Sequence, residues 1–199
     1  IVDKSETFTL NFVGDILAAR AVELTMRKQG YDYPFRKMKD LLADADMTFA
    51  NLETPLIGDK TTGRTTPGGT TVFRGDTAFA QALKDVGIDV VSLANNHMKD
   101  QGLKGIASTL ETLPKVGLLG AGAGLNLAQA RQMAVFTIVP ETNVEAAPVK
   151  IGVLAYNDAD VVPSSYHATD SQAGTNIMDV VRLREDVTTN RNAADALIV

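Results

Sequence analysis

The chain has no cysteine, no tryptophan and only two histidines, and aromatic residues fill just 6% of its 199 positions. Without cysteine there can be no disulfide, no thiolate metal site and no cysteine nucleophile. A cysteine-free chain suits oxidising and reducing compartments alike, so this absence leaves location open. No apolar run approaches the roughly 20 residues that cross a bilayer. The opening residues, Ile1-Val2-Asp3-Lys4-Ser5-Glu6, match neither a signal peptide nor an anchor, so the leader of an exported form is expected outside this sequence. Positive charge is also in deficit, with 19 Lys and Arg against 24 Asp and Glu and a net charge of -5. That balance argues against a generic nucleic-acid binder, which presents a basic patch. It argues equally against a folded surface drawn to anionic lipid.

What is present is ordinary globular material, 45% hydrophobic and 22% charged, enough for one domain with a substantial core. Phe8, Leu10 and Phe12 alternate with polar residues and read as a strand that breaks at Gly14-Asp15. Residues 16–29 read as a helix stopped by Gly30, and Phe35, Met38, Leu41 and Leu42 read as the apolar stripe of another begun near Pro34. A short strand at 47–50 delivers Asn51-Leu52-Glu53, and the Thr- and Gly-rich stretch 58–71 reads as a surface loop. A helix capped by Asp76 or Thr77 runs to Gly87, and the apolar run 88–93 delivers Asn95-Asn96-His97. A helix at 103–113 should stop at Pro114, with a strand at 116–119 and a short helix capped by Asn126 beyond it.

Strands at 135–139 and 149–156, a polar excursion at 157–176, a helix at 180–194 and a strand at 196–199 complete the pass. Strands alternating with helices predict an α/β fold with a largely parallel or mixed sheet. Ending on the apolar run Ala196-Leu197-Ile198-Val199, the sequence is expected to be one domain over 1–199, the N-terminal part of a longer protein.

Ligands of α/β sheets gather at the carboxyl ends of the strands. Three such ends carry unusual polar groups: Asp15, Asn51-Leu52-Glu53 and Asn95-Asn96-His97. Carboxylates, an amide oxygen and an imidazole make a common ligand set for a divalent metal, and Asp100 stands where it could orient the His97 ring. Each residue also has a plainer reading. Asp15 could cap a helix, Glu53 could be a solvated loop carboxylate, and Asn96 could hold a left-handed turn. The glycine-rich run 120–124 resembles a phosphate cradle but lacks the third glycine of the dinucleotide fingerprint and the lysine of the P-loop, so a tight turn is the better reading. Arg74 could bind an anion or be an ordinary loop residue. His167, beside Tyr166, reads as surface.

The strings Phe12-Val13-Gly14-Asp15-Ile16-Leu17, Asn51-Leu52-Glu53-Thr54-Pro55-Leu56 and Asn95-Asn96-His97 with Asp100 and Gly102 resemble the bacterial poly-γ-glutamate capsule-synthesis proteins of the CapA/PgsA type. Gly120-Ala121-Gly122 with Asn126 and Ala130, and Lys150-Ile151-Gly152-Val153-Leu154-Ala155-Tyr156, extend the resemblance over nearly the whole chain. That family is similar to calcineurin-like metallophosphoesterases, which implies a sandwich of two β-sheets flanked by helices, incomplete here at its C-terminal end. The resemblance implies one or two divalent ions (Mn, Zn, Fe or Mg) on Asp15, Glu53 and Asn96, completed by histidines beyond Val199. It makes His97 and Asp100 catalytic, and Asn51, Asn95 and Arg74 substrate-binding. Glu53 or Asn51 stands where that fold usually carries a bridging aspartate.

The implied function is synthesis, export or processing of poly-γ-glutamate or a similar anionic polymer, as a metal-dependent hydrolase of phosphoester or amide bonds. A non-catalytic module binding the polymer or a membrane synthase, and a nucleotidase-like phosphoesterase, are the alternatives. For the module, Arg74 and Lys99 would offset the acidic net charge. The implied location is extracytoplasmic, through an anchor absent from this sequence, with the folded domain outside the bilayer and no nucleic-acid partner.

Overall fold

A computed structural model describes residues 7–58, 72–140 and 147–199; most of the expected 58–71 loop lies outside these. The first half is a parallel four-stranded sheet in the order β1-β2-β3-β4, formed by Leu10–Ile16, Met47–Leu52, Val90–Ser92 and Leu119–Ala121. Helices α1 (Arg20–Gln29), α2 (Lys39–Ala43), α3 (Phe79–Asp85) and α4 (Gly102–Lys115) connect these strands. Next come β5 (Ala123–Gly124), α5 (Leu127–Ala130), β6 (Ala134–Ile138) and β7 (Val149–Val153), then β8 (Gly174–Thr175), α6 (Val180–Asn190) and β9 (Ala196–Ile198). Strands β6, β7 and β9 form a second, mixed sheet, while β5 and β8 make a small antiparallel pair.

Side chains alternate across the first sheet and build two cores, as a sheet covered on both faces requires. Met47, Val90 and Ala121 turn towards Ala134, Ile138, Ile151 and Val153 of the second sheet. Ala50, Leu52 and Val91 turn the other way, onto Phe79 and Leu83 of α3 and Ile106 and Leu113 of α4. The molecule is therefore an α/β sandwich of sheets flanked by helices, as the alternating elements predict. No helix among the described residues is long and apolar enough to cross a membrane.

Several local expectations shift. The strand does not break at Gly14-Asp15. It continues to Ile16 through a register shift between Phe12 and Asp15, and α1 begins only at Arg20. Met38 and Leu41 are exposed, and only Leu42 of α2 is buried, because a 3-10 turn at Tyr33–Phe35 takes up the Pro34 segment and offsets the stripe. Pro114 sits inside the last turn of α4 without ending it. Its missing N–H removes one hydrogen bond where the helix is about to stop anyway. The 120–124 run is not a phosphate cradle: it forms the end of β4, a turn at Gly122 and β5. Asn126 caps α5 as expected, accepting from Gln129 N at 2.9 Å.

Candidate functional site

Parallel pairing in the order β1, β2, β3 places their carboxyl ends side by side. Asp15 pairs in register with Asn51, and Asn51 with Ser92. The residues that follow β2 and β3 therefore converge on Asp15. This register is what makes one site from Asp15, Asn51, Glu53, Asn95, Asn96 and His97. It also settles the plainer reading of Asp15, because α1 starts five residues later with Ala19 at its cap position.

Amides frame the cluster. Asn51 Nδ2 donates to Asp15 Oδ1 at 2.8 Å. Buried Asn95 donates through Nδ2 to Asn51 Oδ1 at 3.0 Å and to Leu52 O at 2.9 Å, while its Oδ1 accepts from His97 N at 3.1 Å. Both donors and the acceptor of Asn95 are thus engaged in holding the three strand ends together. Asn95→Ala should lower stability by about 1–3 kcal/mol, the cost of leaving buried partners unsatisfied. A urea midpoint shift at unchanged slope will read it. Asn96, next in the chain, is exposed.

His97 is held on three sides. Its Nδ1 lies 2.9 Å from Asp100 Oδ2, and its ring stacks on Phe73 with centroids 3.9 Å apart. Its Nε2 faces Glu53 Oε1 at 4.0 Å. Asp100 also accepts from Phe73 N at 2.6 Å and, through Oδ1, from the Tyr166 hydroxyl at 3.3 Å. With donors on both sides, Asp100 orients the ring with Nδ1–H towards itself and leaves Nε2 facing the cleft. Burial, reinforced by the negative charge of Asp15, holds the Glu53 carboxyl above the usual range; His97 and Arg20 pull it down.

The polar excursion closes over this dyad. Lys99 donates through Nζ to Ser165 O and, at 2.6 Å, to Ala173 O, and burial pushes its pKa down. Lys99 is therefore committed to backbone carbonyls of the excursion, which carries Tyr166. Tyr166→Phe removes one donor to Asp100 and leaves the Lys99 clamp. The expected result is a loss of about 0.5–1.5 kcal/mol in stability and a smaller loss of activity than any change at His97. Thermal unfolding and a rate assay on one preparation will check both.

Arg74 follows Phe73, with a guanidinium nitrogen 3.3 Å from the position a Gly58 Cβ would take, and its Nε is buried with no hydrogen-bond partner among the described residues. His167 is half-buried rather than on the surface, and its Nε2 is likewise buried without a partner. Sequence reasoning missed Phe73, Tyr166 and Arg20. Arg20 lies with its guanidinium carbon 4.8 Å from the Phe73 ring centroid. Neither Phe73 nor Tyr166 sits in a periodic segment, so only tertiary structure brings them to His97.

Asp15 and Glu53 are close enough to couple electrostatically. Among the described residues, however, no group of three His, Asp or Glu side chains is placed to hold a metal ion.

A Bacillus anthracis protein named "Capsule biosynthesis protein CapA" is 28% identical over 172 residues, covering 86% of this chain and 39% of the relative. A Bacillus subtilis (strain 168) "PGA biosynthesis protein CapA" is 28% identical over 127 residues, 64% of this chain and 33% of the relative. A Mycobacterium tuberculosis (strain CDC 1551 / Oshkosh) "Probable polyglutamine synthesis accessory protein" is 30% identical over 129 residues, 65% of this chain and 32% of the relative. The chain thus spans well under half the length of these relatives. The family model described as "Bacterial capsule synthesis protein PGA_cap" matches residues 9–199, and the chain belongs to that family.

Proposed function

We propose that the protein acts in making or processing an anionic surface polymer of the poly-γ-glutamate kind, and that its site is hydrolytic. Family membership and the names of the relatives support the first part. One observation carries the second. His97 is oriented by Asp100 at 2.9 Å and turns Nε2 towards Glu53 at 4.0 Å. An imidazole so fixed, opposite a carboxylate, is equipped for proton transfer at a bond lying between them.

In this reading a water attacks the carbonyl or phosphoryl centre and gives its proton to Glu53. The bond to the leaving group breaks as His97, entering the step with a proton on Nε2 as well as Nδ1, gives the Nε2 proton to the departing nitrogen or oxygen and becomes neutral; the proton taken by Glu53 then returns to solvent or to His97, resetting both groups. Asp100 keeps the ring in register and stabilises its protonated form before the transfer. Asn51 fixes Asp15 beside Glu53, and Asn95 holds the Asn51 and His97 turns at constant spacing. Asp15, Glu53 and Asn96 are the groups onto which a divalent cation would be drawn, the remaining ligands coming from outside the described residues. The nascent polymer and a membrane synthase are the proposed partners, and the proposed location is outside the cytoplasm.

A second reading is a polymer-holding module without catalysis. It is favoured by Glu53 standing where the related fold usually carries a bridging aspartate, and by the amides, which serve as framework. Assaying the protein against a γ-linked glutamate oligomer and a generic phosphodiester separates the readings. Cleavage of the first supports polymer hydrolysis. Cleavage of the second alone, lost in Asp15→Asn, identifies a phosphoesterase. Binding of the oligomer with cleavage of neither supports the module.

A further inference from the structure

Lys99 sits inside the turn that carries His97 and Asp100. Asp100 N donates to His97 O at 2.9 Å, and Gly102 N donates to Lys99 O at 2.8 Å. The Lys99 side chain leaves that turn and reaches two separate stretches of the excursion. Its Nζ donates to Ser165 O, in the 3-10 turn Ser164–Tyr166, and at 2.6 Å to Ala173 O, one residue before β8. Burial lowers the pKa of this ammonium, so the contact is made at a cost in hydration. Gln172 ties the loop from within, donating through Nε2 to Ser165 O at 3.2 Å and to His167 O at 2.9 Å.

Other bonds anchor the base of the excursion. Asn157 N donates to Asn176 O at 2.7 Å, Met178 N to Asn157 O at 2.8 Å, and Leu127 N to Thr169 O at 2.8 Å. These hold its two ends and the Thr169 corner. The stretch that reaches the dyad is Ser164–Tyr166, and among the described residues Lys99 and Asp100 join it to the His97 turn. The Tyr166 hydroxyl donates to Asp100 Oδ1 at 3.3 Å, long for an O–H donor. Burial, with the charge of Asp100, raises the Tyr166 pKa and keeps the hydroxyl a donor. Asp100 is buried, and its Oδ2 takes Phe73 N at 2.6 Å and faces His97 Nδ1 at 2.9 Å. Tyr166 therefore secures the other oxygen, and a bond this long depends on whatever keeps the 3-10 turn in place.

We propose that Lys99 is a positioning residue for His97: by pinning Ser165 and Ala173 it holds Tyr166 on Asp100 and so fixes the carboxylate that orients the imidazole. The path runs from Lys99 through the Ser165 backbone and Tyr166 to Asp100 and the ring. Its consequence for the rate rests on the hydrolytic reading above; its consequence for the ring does not.

Lys99→Met keeps the aliphatic stem and removes the donors. Amide hydrogen exchange over 164–168 reports the excursion, and nuclear magnetic resonance of the His97 Nδ1 proton reports the ring. The chain has two histidines, so comparison with His97→Ala assigns that proton. Lys99→Met should speed exchange of the 164–168 amides, and of the His97 Nδ1 proton, by about 2–10-fold, the scale of one weak hydrogen bond. Tyr166→Phe should loosen the ring proton to the same degree, and Lys99→Met should add nothing to it there, because the two residues act in series. Lys99→Cys places a single thiol in a cysteine-free chain. Alkylation of it with 2-bromoethylamine rebuilds an ammonium of lysine's length and should restore the parental ring signal, whereas alkylation with bromoethane should not. Faster amide exchange with an unchanged His97 proton makes Lys99 a staple of the loop and overturns the positioning role. A Lys99→Met effect on the ring that persists in full on top of Tyr166→Phe overturns it as well. With a parent that hydrolyses a γ-linked glutamate oligomer, kcat of Lys99→Met should fall by the same factor at unchanged KM, and parental kcat would contradict the proposal. A parent that cleaves no oligomer removes the hydrolytic reading, and the ring measurement alone then decides the role of Lys99.

Discussion

His97→Ala will lower the rate of oligomer hydrolysis by about 10²–10⁴-fold, the usual contribution of a positioned acid–base group. The reasoning starts from the contacts of the ring. Nδ1 is engaged by Asp100 and one face by Phe73, so the remaining nitrogen, facing Glu53 at 4.0 Å, is the one available to a substrate. Alanine removes that nitrogen and leaves Asp100 with its Phe73 N and Tyr166 partners. The fold should survive, since the ring is not part of either hydrophobic core. Asp100→Asn should also slow the reaction, because an amide no longer stabilises the charged ring. The double variant should be no slower than His97→Ala alone, since the two residues act as a unit and their effects do not add. Additive losses would mean that Asp100 works through something other than His97. A His97→Ala protein with parental kcat, folded by circular dichroism, would remove the ring from the chemistry altogether.

Gly122→Ala is expected to be a damaging small change away from the chemistry. Gly122 has φ of 94°, which a side chain disfavours, and a Cβ there would lie 2.5 Å from Ala94 Cβ and 2.9 Å from Ala155 Cβ. Neither neighbour can swing aside, since both contacts are with short side chains fixed to backbone. Strain and overpacking together should cost roughly 2–4 kcal/mol, a fall of roughly 4–16 °C in Tm for a chain of this size. Ala94 immediately precedes Asn95, so relief of the clash moves the turn that carries His97. Activity measured well below the new Tm should therefore fall as well. Calorimetry and a rate assay on one preparation check both, and an unchanged Tm would refute the packing argument.

Much of this was legible in the sequence where chemistry and local pattern coincide. The strings ending in Asp15, Glu53 and His97 each follow an apolar run, and parallel strands put such ends together whatever the loops between them do. The cap at Asn126 was equally readable, because a cap is decided within four residues. The start of α1 was not. The apolar spacing after Asp15 suits a helix, but pairing of β1 with β2 continues through Asp15 and Ile16 and keeps those residues extended. Pairing across 36 positions overrides local propensity and leaves no local mark. The same holds for the excursion. Tyr166 and the carbonyls of Ser165 and Ala173 reach Asp100 and Lys99 across at least 66 positions, through a segment with no periodicity to read. The glycine-rich run was readable as the tight turn it forms, between strands β4 and β5, with Gly122 packed closely against Ala94 and Ala155.

In the proposed reading His97, set by Asp100 and opposed by Glu53, assists hydrolysis of a bond in an anionic polymer. The direct measurement is the release of new amino groups from a γ-linked glutamate oligomer incubated with the protein, followed over time beside the His97→Ala variant. Steady release by the parent and near-absence of release by the variant is the predicted result. An oligomer that is bound by the parent yet yields no new amino groups would contradict the hydrolytic account and leave a module that holds the polymer without cutting it.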